Sequence, residues 1–273
     1  GDHRDLHSVP TRRSSDLLRW AKARPFKRSI VDSLGSDLNN LKVMVGVFLF
    51  SKIFRKYNEK NVGVLLPSSA IGSIVNIALF IIGKRPVNLN YTLSPHIMLM
   101  ALNQGEISHI ITSEKFLEKL EGKGFDFRDV MGERIVTLEQ VSGSIKKSQK
   151  TKILLEALLT PKWWLKFRYF DYISMEDTAT ILFSSGSEGH PKGVELTHRN
   201  LIANIKQVAA LFQYGENDVM LNSLPIFHSF GLTVTTLLPL CEGVPMASVA
   251  DPTDSVAIGK MVARYNEIGR AHV

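Results

Sequence analysis

The run from Val62 to Ile82 contains no charged side chain, and it constrains the fold more than any other stretch of the chain. As a single helix it would be long enough to cross a bilayer. Its own residues argue against that, because Pro67, Ser68, Ser69, Ser73 and Asn76 interrupt it. It divides instead into a buried strand over Val62–Leu66, a turn at Pro67-Ser-Ser, and an apolar helix over Ala70–Ile82.

The same alternation continues on either side. Ile30–Asp32 reads as a short strand. From Leu38 to Lys56, the apolar residues Leu41, Val45, Phe48, Leu49 and Ile53 fall at helical spacing. Arg85–Asn90 predicts a strand leading into a loop, and Ser94 starts a helix with Pro95 in its first turn. His109–Thr112 is a strand and Glu114–Leu120 a helix. Further on, Thr180–Phe183 and Val219–Leu224 are strands. Thr197 is placed to cap a helix with Leu201, Ile205, Val208 and Phe212 on one face, and another apolar helix runs from Leu232. Strands and helices alternating at this spacing predict an α/β domain with a mainly parallel sheet and flanking helices.

Three stretches stand outside this pattern. Residues 1–17 carry no apolar period, and Glu267–Val273 breaks off a helical pattern abruptly. Both are expected to be foreign to the fold, an artefactual or disordered head and tail, and the chain is expected to be a fragment. Each sums to zero formal charge, so the net charge of +7 belongs to residues 18–266. The third stretch, 142–170, holds Lys146, Lys147, Lys150, Lys152, Lys162, Lys166 and Arg168 against one acid, Glu156, with Trp163-Trp164 in its middle. It reads as an exposed connecting segment. Such a run is either a solvated face or a dock for an anionic membrane surface or an acidic carrier protein. The basic balance by itself suits phosphates, acidic proteins or anionic lipid alike. The single cysteine, Cys241, excludes an intramolecular disulfide and a cysteine zinc cluster, and fits a reducing compartment.

The chemistry concentrates in Ser184-Ser-Gly-Ser-Glu-Gly-His-Pro-Lys-Gly193. Gly186, Gly189 and Gly193 alternate with the hydroxyls of Ser184, Ser185 and Ser187, and Lys192 closes the loop. Glycines let a backbone form a tight anion nest, amides and hydroxyls donate to phosphate oxygens, and the lysine adds a cation. The common P-loop is excluded, because its template would need glycine at 191 and a hydroxyl at 193, where this chain has proline and glycine. A glycine-rich surface turn is the bland alternative.

These ten residues resemble the signature loop of the adenylate-forming (AMP-binding) superfamily, which includes acyl-CoA synthetases, luciferases and peptide-synthetase adenylation domains. Phe183 stands where that family has an aromatic. The one departure is Glu188, where most members have threonine; a carboxylate there either binds Mg²⁺ or faces away from the phosphates. In this form the loop is similar to one branch in particular. That branch is the acyl-[acyl-carrier-protein] synthetase half of the bacterial bifunctional 2-acylglycerophosphoethanolamine acyltransferase/synthetase. Leu224-Pro-Ile-Phe-His-Ser-Phe-Gly231 resembles the family's next motif. The resemblance places His228 near the acyl carboxylate and Gly231 where an acyl chain enters; a histidine taken alone is more often a satisfied core residue. Val62–Pro67 and Asn88–Thr92 also resemble that branch, although Asn88 and Tyr91 serve equally as turn residues. His198 is expected to pack at a helix start, without a catalytic role, and Cys241 to be a small core residue.

The resemblance runs from about residue 18 to 266 and implies a truncated adenylation domain, part of the large N-terminal domain of the acyl-adenylate synthetase fold. It implies ATP and Mg²⁺ as cofactors, with Ser184, Ser185, Gly186, Ser187, Glu188, Gly189 and Lys192 around the nucleotide. It implies Lys192 and His228 as catalytic residues, and His228 and Gly231 as pocket residues. A fatty acid would become acyl-AMP and then pass to the thiol of acyl carrier protein or CoA. Nucleic acid is not an expected partner. The expected location is cytoplasmic, with a peripheral place on the inner membrane as its variant. A non-catalytic nucleotide- or acyl-binding module and a CoA-dependent acyl-CoA synthetase are the alternatives. The sequence contains no Tyr-Gly-x-Thr-Glu, no Thr-Gly-Asp and no His-x-x-x-x-Asp acyltransferase motif. The fragment is therefore expected to be inactive alone.

Overall fold

The computed structural model of the chain describes residues 14–184, 190–212, 214–266 and 271–272, starting in helix α1 (Ser14–Ala23). Strands β1 (Arg28–Asp32) and β2 (Asp37–Asn39) precede helix α2 (Asn40–Phe54). The charge-free run then forms strand β3 (Asn61–Val64) and helix α3 (Ala70–Phe80), divided at the proline turn as expected. Among the described residues, no helix is long and apolar enough to cross a membrane. The alternation continues through β4 (Arg85–Asn88), α4 (Pro95–Gln104), β5 (Ile110–Thr112) and α5 (Glu114–Glu121). Side chains start these helices by accepting from orphan backbone N–H groups: Asn39 for α2, Ser69 for α3, Ser94 for α4 and Ser113 for α5.

Next come α6 (Arg128–Met131), β6 (Ile135–Thr137), α7 (Leu138–Gly143), α8 (Lys147–Leu159) and α9 (Lys162–Tyr169). The basic segment read as a connection is thus largely two helices, anchored by only a few buried residues: Ile153, Ala157, Leu165 and Tyr169. Strands β7 (Thr178–Ser184) and β8 (Lys192–Thr197), helix α10 (His198–Leu211) and strand β9 (Val219–Asn222) lead to a π-helix at Gly231–Leu237. Helix α11 (Leu238–Glu242), strand β10 (Met246–Ser248), helix α12 (Ser255–Asn266) and the short strand β11 (Ala271–His272) complete the order.

The strands form three sheets. One, in the order β4-β3-β5-β6, is wholly parallel. A second, β11-β9-β10-β1-β2, is parallel except for the β1–β2 pair. The third is the antiparallel pair β7–β8. Asp32 ties two layers together. One of its carboxylate oxygens accepts from the Leu34 and Ser36 amides, and the other from Ala70 N–H at 3.0 Å, at the positive end of α3. Within the core, Asn76 of α3 and Asn88 of β4 exchange amide hydrogen bonds at 3.0 and 2.8 Å. Asn88 is therefore a paired core amide.

The ends of the chain differ from expectation in two places. Leu17, assigned to the foreign head, is buried in the main core, where α1 packs against α2 and α11. Ala271–His272, assigned to the foreign tail, lies parallel to Val219–Met220. Pairing at a sheet edge uses backbone groups alone, so it places little demand on the sequence that supplies the strand.

Candidate functional site

Strand β7 is buried from Ala179 to Phe183. Thr180 fastens it to β4 by donating its hydroxyl to the Pro86 carbonyl at 2.6 Å. The chain then turns and returns as β8 in antiparallel register, Leu182 opposite Val194, Phe183 opposite Gly193 and Ser184 opposite Lys192. Ser184 and Lys192 are the last paired residues of the two strands, both exposed. The Ser184 hydroxyl donates to the Lys192 carbonyl at 3.5 Å. Ser185, Gly186, Ser187, Glu188 and Gly189 lie outside the described residues. The strand before the loop was expected and the strand after it was not. Strand β8 is exposed over Lys192–Glu195, so it lacks the apolar alternation that marks a strand in sequence.

Phe183 and Gly193 work as a pair. A Cβ on Gly193 would lie 3.1 Å from the Phe183 ring and 3.2 Å from Ile181. The aromatic before the loop covers the glycine that closes it. At the far end of β8, Thr197 and Asn200 form a reciprocal capping box for α10. His198, the next residue, is buried edge-on against Phe80 with ring centroids 6.1 Å apart. Burial lowers its pKa, with Asp177 opposing in part, so the ring packs in its neutral form.

The second motif links β9 to the π-helix. Leu224 is held by the Ser68 hydroxyl, which donates to its carbonyl at 2.7 Å from the turn before α3. The His228 N–H donates to the Pro225 carbonyl at 3.0 Å. Gly231 is buried, and a Cβ there would stand 2.1 Å from the Pro225 oxygen. Its missing side chain thus admits the backbone of the preceding turn. The hydroxyls of Thr235 and Thr236 donate to the Gly231 carbonyl at 3.0 and 2.8 Å. These bonds satisfy a carbonyl inside the widened helical turn, a feature often found at functional sites. Beneath it, fully buried Asn222 accepts from Thr235 at 2.8 Å and donates toward Thr236 and Ser248 at 3.3 Å.

His228 is exposed and rests on Phe227, with ring centroids 4.6 Å apart. Phe227 meets the edge of Tyr91 at 4.9 Å, and Tyr91 meets Phe116 at 5.3 Å. Burial, with help from the Asp251 charge, pushes the Tyr91 hydroxyl up to about 12, so it stays protonated at neutral pH. Phe183, Ile181 and Phe116 belong to one apolar cluster, and Tyr91 packs on it. The two motifs therefore share one foundation. Sequence reasoning missed Phe227 and Asn222 as supports. Their only signals were an aromatic before the histidine and one amide ending an otherwise apolar strand. Among the described residues, no cluster of His, Cys, Asp and Glu could hold a metal ion.

Residues 47–266 match the AMP-binding enzyme family. The chain is 23% identical over 245 residues to a long-chain-fatty-acid–CoA ligase of Escherichia coli O6:H1, covering 79% of this chain and 43% of that one. Over 78 residues it is 40% identical to the medium-chain-fatty-acid–[acyl-carrier-protein] ligase TtuA of Teredinibacter turnerae, covering 28% of this chain and 12% of that one. The chain thus spans less than half the length of either relative. Among solved structures it is similar to VinN in complex with L-aspartate, with TM-score 0.72, 17% identity and coverage of 92% of this chain and 59% of that one. It is also similar to o-succinylbenzoate coenzyme A synthetase of Bacillus subtilis in complex with AMP, with TM-score 0.70, 18% identity and the same two coverages. The fold is that of the N-terminal domain of acyl-adenylate synthetases, present in part.

Proposed function

This chain belongs to the AMP-binding enzyme family, and on that premise we propose that it forms one wall of a site that activates a fatty acid with ATP. A carboxylate oxygen of the fatty acid attacks the α-phosphorus of ATP, pyrophosphate leaves, and acyl-AMP forms. A phosphopantetheine thiol then attacks the acyl carbon, its proton is lost to solvent, and AMP leaves as the thioester forms. The single observation behind this reading is the hairpin that presents Ser184 and Lys192 on either side of the glycine loop.

In this reading Lys192 and the loop amides neutralise charge that builds on the β,γ-phosphates as pyrophosphate departs. Donors fixed before the reaction stabilise that charge without reorganising, so this is electrostatic rather than acid–base work. A paired strand behind Lys192 and a buried strand behind Ser184 supply the rigidity. His228, set on the Phe227–Tyr91 support, positions the fatty carboxylate. Mg²⁺ would supply further charge on the phosphates. The described residues do not form a site for it by themselves, and no step above runs through it.

The fatty-acid assignment is supported by relatives named as fatty-acid ligases. Between acceptors, the Ser-Gly-Ser-Glu-Gly-His-Pro-Lys-Gly form of the loop favours acyl carrier protein and the bifunctional synthetase branch; CoA is the alternative. The adenine-, ribose- and hinge-side groups implied by the family resemblance have no counterpart in these 273 residues. This chain alone is therefore expected not to turn over.

Fatty-acid-dependent exchange of pyrophosphate into ATP, measured on a full-length protein containing this segment, tests the reading. Exchange that requires both fatty acid and Lys192 supports it. ATP binding without exchange would identify a non-catalytic nucleotide-binding module instead. Offering acyl carrier protein and CoA side by side decides the acceptor.

A further inference from the structure

Residues 142–170 carry seven basic side chains and one acid, a net +6 out of the chain's +7. Helix formation does not account for where those charges lie. Lys147 and Lys162 are the first residues of α8 and α9, and neither helix has an acid in its first turn. Cations at helix N-termini oppose the macrodipole. Lys166 and Arg168, in the last turn of α9, suit that helix, but Lys147 and Lys162 oppose theirs, so helix stability does not account for the whole basic run. The field they create is felt within the patch. Lys22 has a lowered pKa, from burial and then from Lys162; burial, Arg168 and Lys152 do the same to Lys52, against the opposing charge of Glu156.

Large apolar side chains lie among these cations. On α9, Trp163 is 68% and Phe167 79% exposed, one turn apart on the same face. Trp164 joins them, its ring 5.9 Å from that of Trp163 and 6.0 Å from that of Phe167. On α8, Leu155 and Leu159 are exposed at the same helical spacing. Beneath this surface a few specific contacts anchor the helices. Tyr169 stacks on Phe48 at 3.9 Å and donates its hydroxyl to Glu156 at 2.5 Å, while Lys22 donates to the Leu158 carbonyl at 3.1 Å. These contacts occupy the buried sides of the two helices and leave the aromatic side chains of α9 facing outward.

We propose that the basic segment of α8 and α9 docks on an anionic lipid surface, with the exposed Trp163, Trp164 and Phe167 of α9 entering the interface and lysines of the segment meeting lipid phosphates. Indole rings favour the headgroup boundary, and lysine stems lie along apolar surface while their ammonium groups reach the phosphates. An acidic protein would satisfy the charges, but the exposed tryptophans and phenylalanine fit the lipid boundary better. The proposal is independent of the adenylation chemistry and stands or falls separately from it.

The test is co-sedimentation of the full chain with vesicles of phosphatidylcholine alone and of phosphatidylcholine mixed with phosphatidylglycerol. Binding is expected only to the mixed vesicles, with a blue shift of tryptophan emission. Trp163→Ser/Phe167→Ser and Lys147→Glu/Lys162→Glu should each weaken it about tenfold or more. The second pair places acids at two helix N-termini, where they favour the helices, so unfolding would not explain its loss of binding. Far-UV circular dichroism checks the fold of both variants. Absence of binding to the mixed vesicles, or binding that survives both substitutions, overturns the proposal. Capture of purified acyl carrier protein with no vesicle binding also overturns it, in favour of a protein partner.

Discussion

Replacing Gly231 with alanine tests the reading of the second motif most sharply. If the residue is glycine to leave room for an acyl chain, an added methyl should narrow a pocket and leave stability nearly unchanged. The geometry argues otherwise. The new Cβ would lie 2.1 Å from the Pro225 oxygen and 2.8 Å from its carbonyl carbon, both backbone atoms that cannot swing aside. To relieve the overlap, the turn must move by roughly 1 Å, in a core where small steric intrusions already cost about 1–3 kcal/mol. That movement strains the His228 N–H bond to the Pro225 carbonyl and the threonine bonds to the Gly231 carbonyl. Each is worth about 1 kcal/mol net. A loss of about 3–5 kcal/mol follows, read as a lower urea midpoint by circular dichroism with the slope unchanged. Gly193→Ala is the graded control. Its Cβ would meet only side-chain atoms at 3.1–3.2 Å, which can yield, so a loss of about 1 kcal/mol is expected. Gly259→Ala, in α12 with nothing near its Cβ, should stabilise by about 0.5–1 kcal/mol. A Gly231→Ala chain as stable as wild type would refute the backbone-contact argument and return the residue to the pocket.

Other substitutions test the remaining supports. Asn222→Leu keeps the branched shape but is bulkier and cannot hydrogen-bond, so it removes the amide that Thr235 and Ser248 bond, and it should cost about 2–3 kcal/mol in the same urea assay. The pKa of His198 is lowered in the fold, so the unfolded chain takes up its proton first as pH falls. Stability should be flat in this group above about pH 6.5 and fall below it, by no more than about 1.4 kcal/mol per pH unit. His198→Gln should remove that slope, and an unchanged slope would show that the imidazole titrates freely. In a full-length protein, Lys192→Ala should lower fatty-acid-dependent pyrophosphate exchange by about a hundredfold or more while leaving the urea midpoint unmoved, because the side chain is exposed.

Much of the framework was legible because its signals are local. The proline turn at Pro67 divided a charge-free run correctly, and Ser94 and Thr197 marked helix starts. Strands without an apolar period were not legible. Strand β8 is exposed and polar, and strands β6 and β10 have only three residues each. Nor did the sequence distinguish a helical basic segment from a connecting one. Helices α8 and α9 bury only two residues each, too few to print a clear stripe.

The site shows the same division at finer scale. Residue types at fixed spacing singled out the loop and the histidine as candidates. Their physical connection could not be read that way. It depends on Tyr91 touching both Phe116 and Phe227, residues from three separate parts of the chain. The contact has a consequence for the chemistry. Phe183, which covers the closing glycine of the loop, and Tyr91, which supports Phe227 beneath His228, rest on the same cluster. A change in packing at that cluster would be felt at both motifs. Tyr91→Phe keeps the rings and should leave both intact, whereas Tyr91→Ala removes the edge contact beneath Phe227 and should release His228 first. The β7–β8 pair, anchored separately through Thr180 to Pro86, should hold longer. The His228 motif therefore depends on aromatic packing, while the Ser184–Lys192 pair is fixed chiefly by strand pairing.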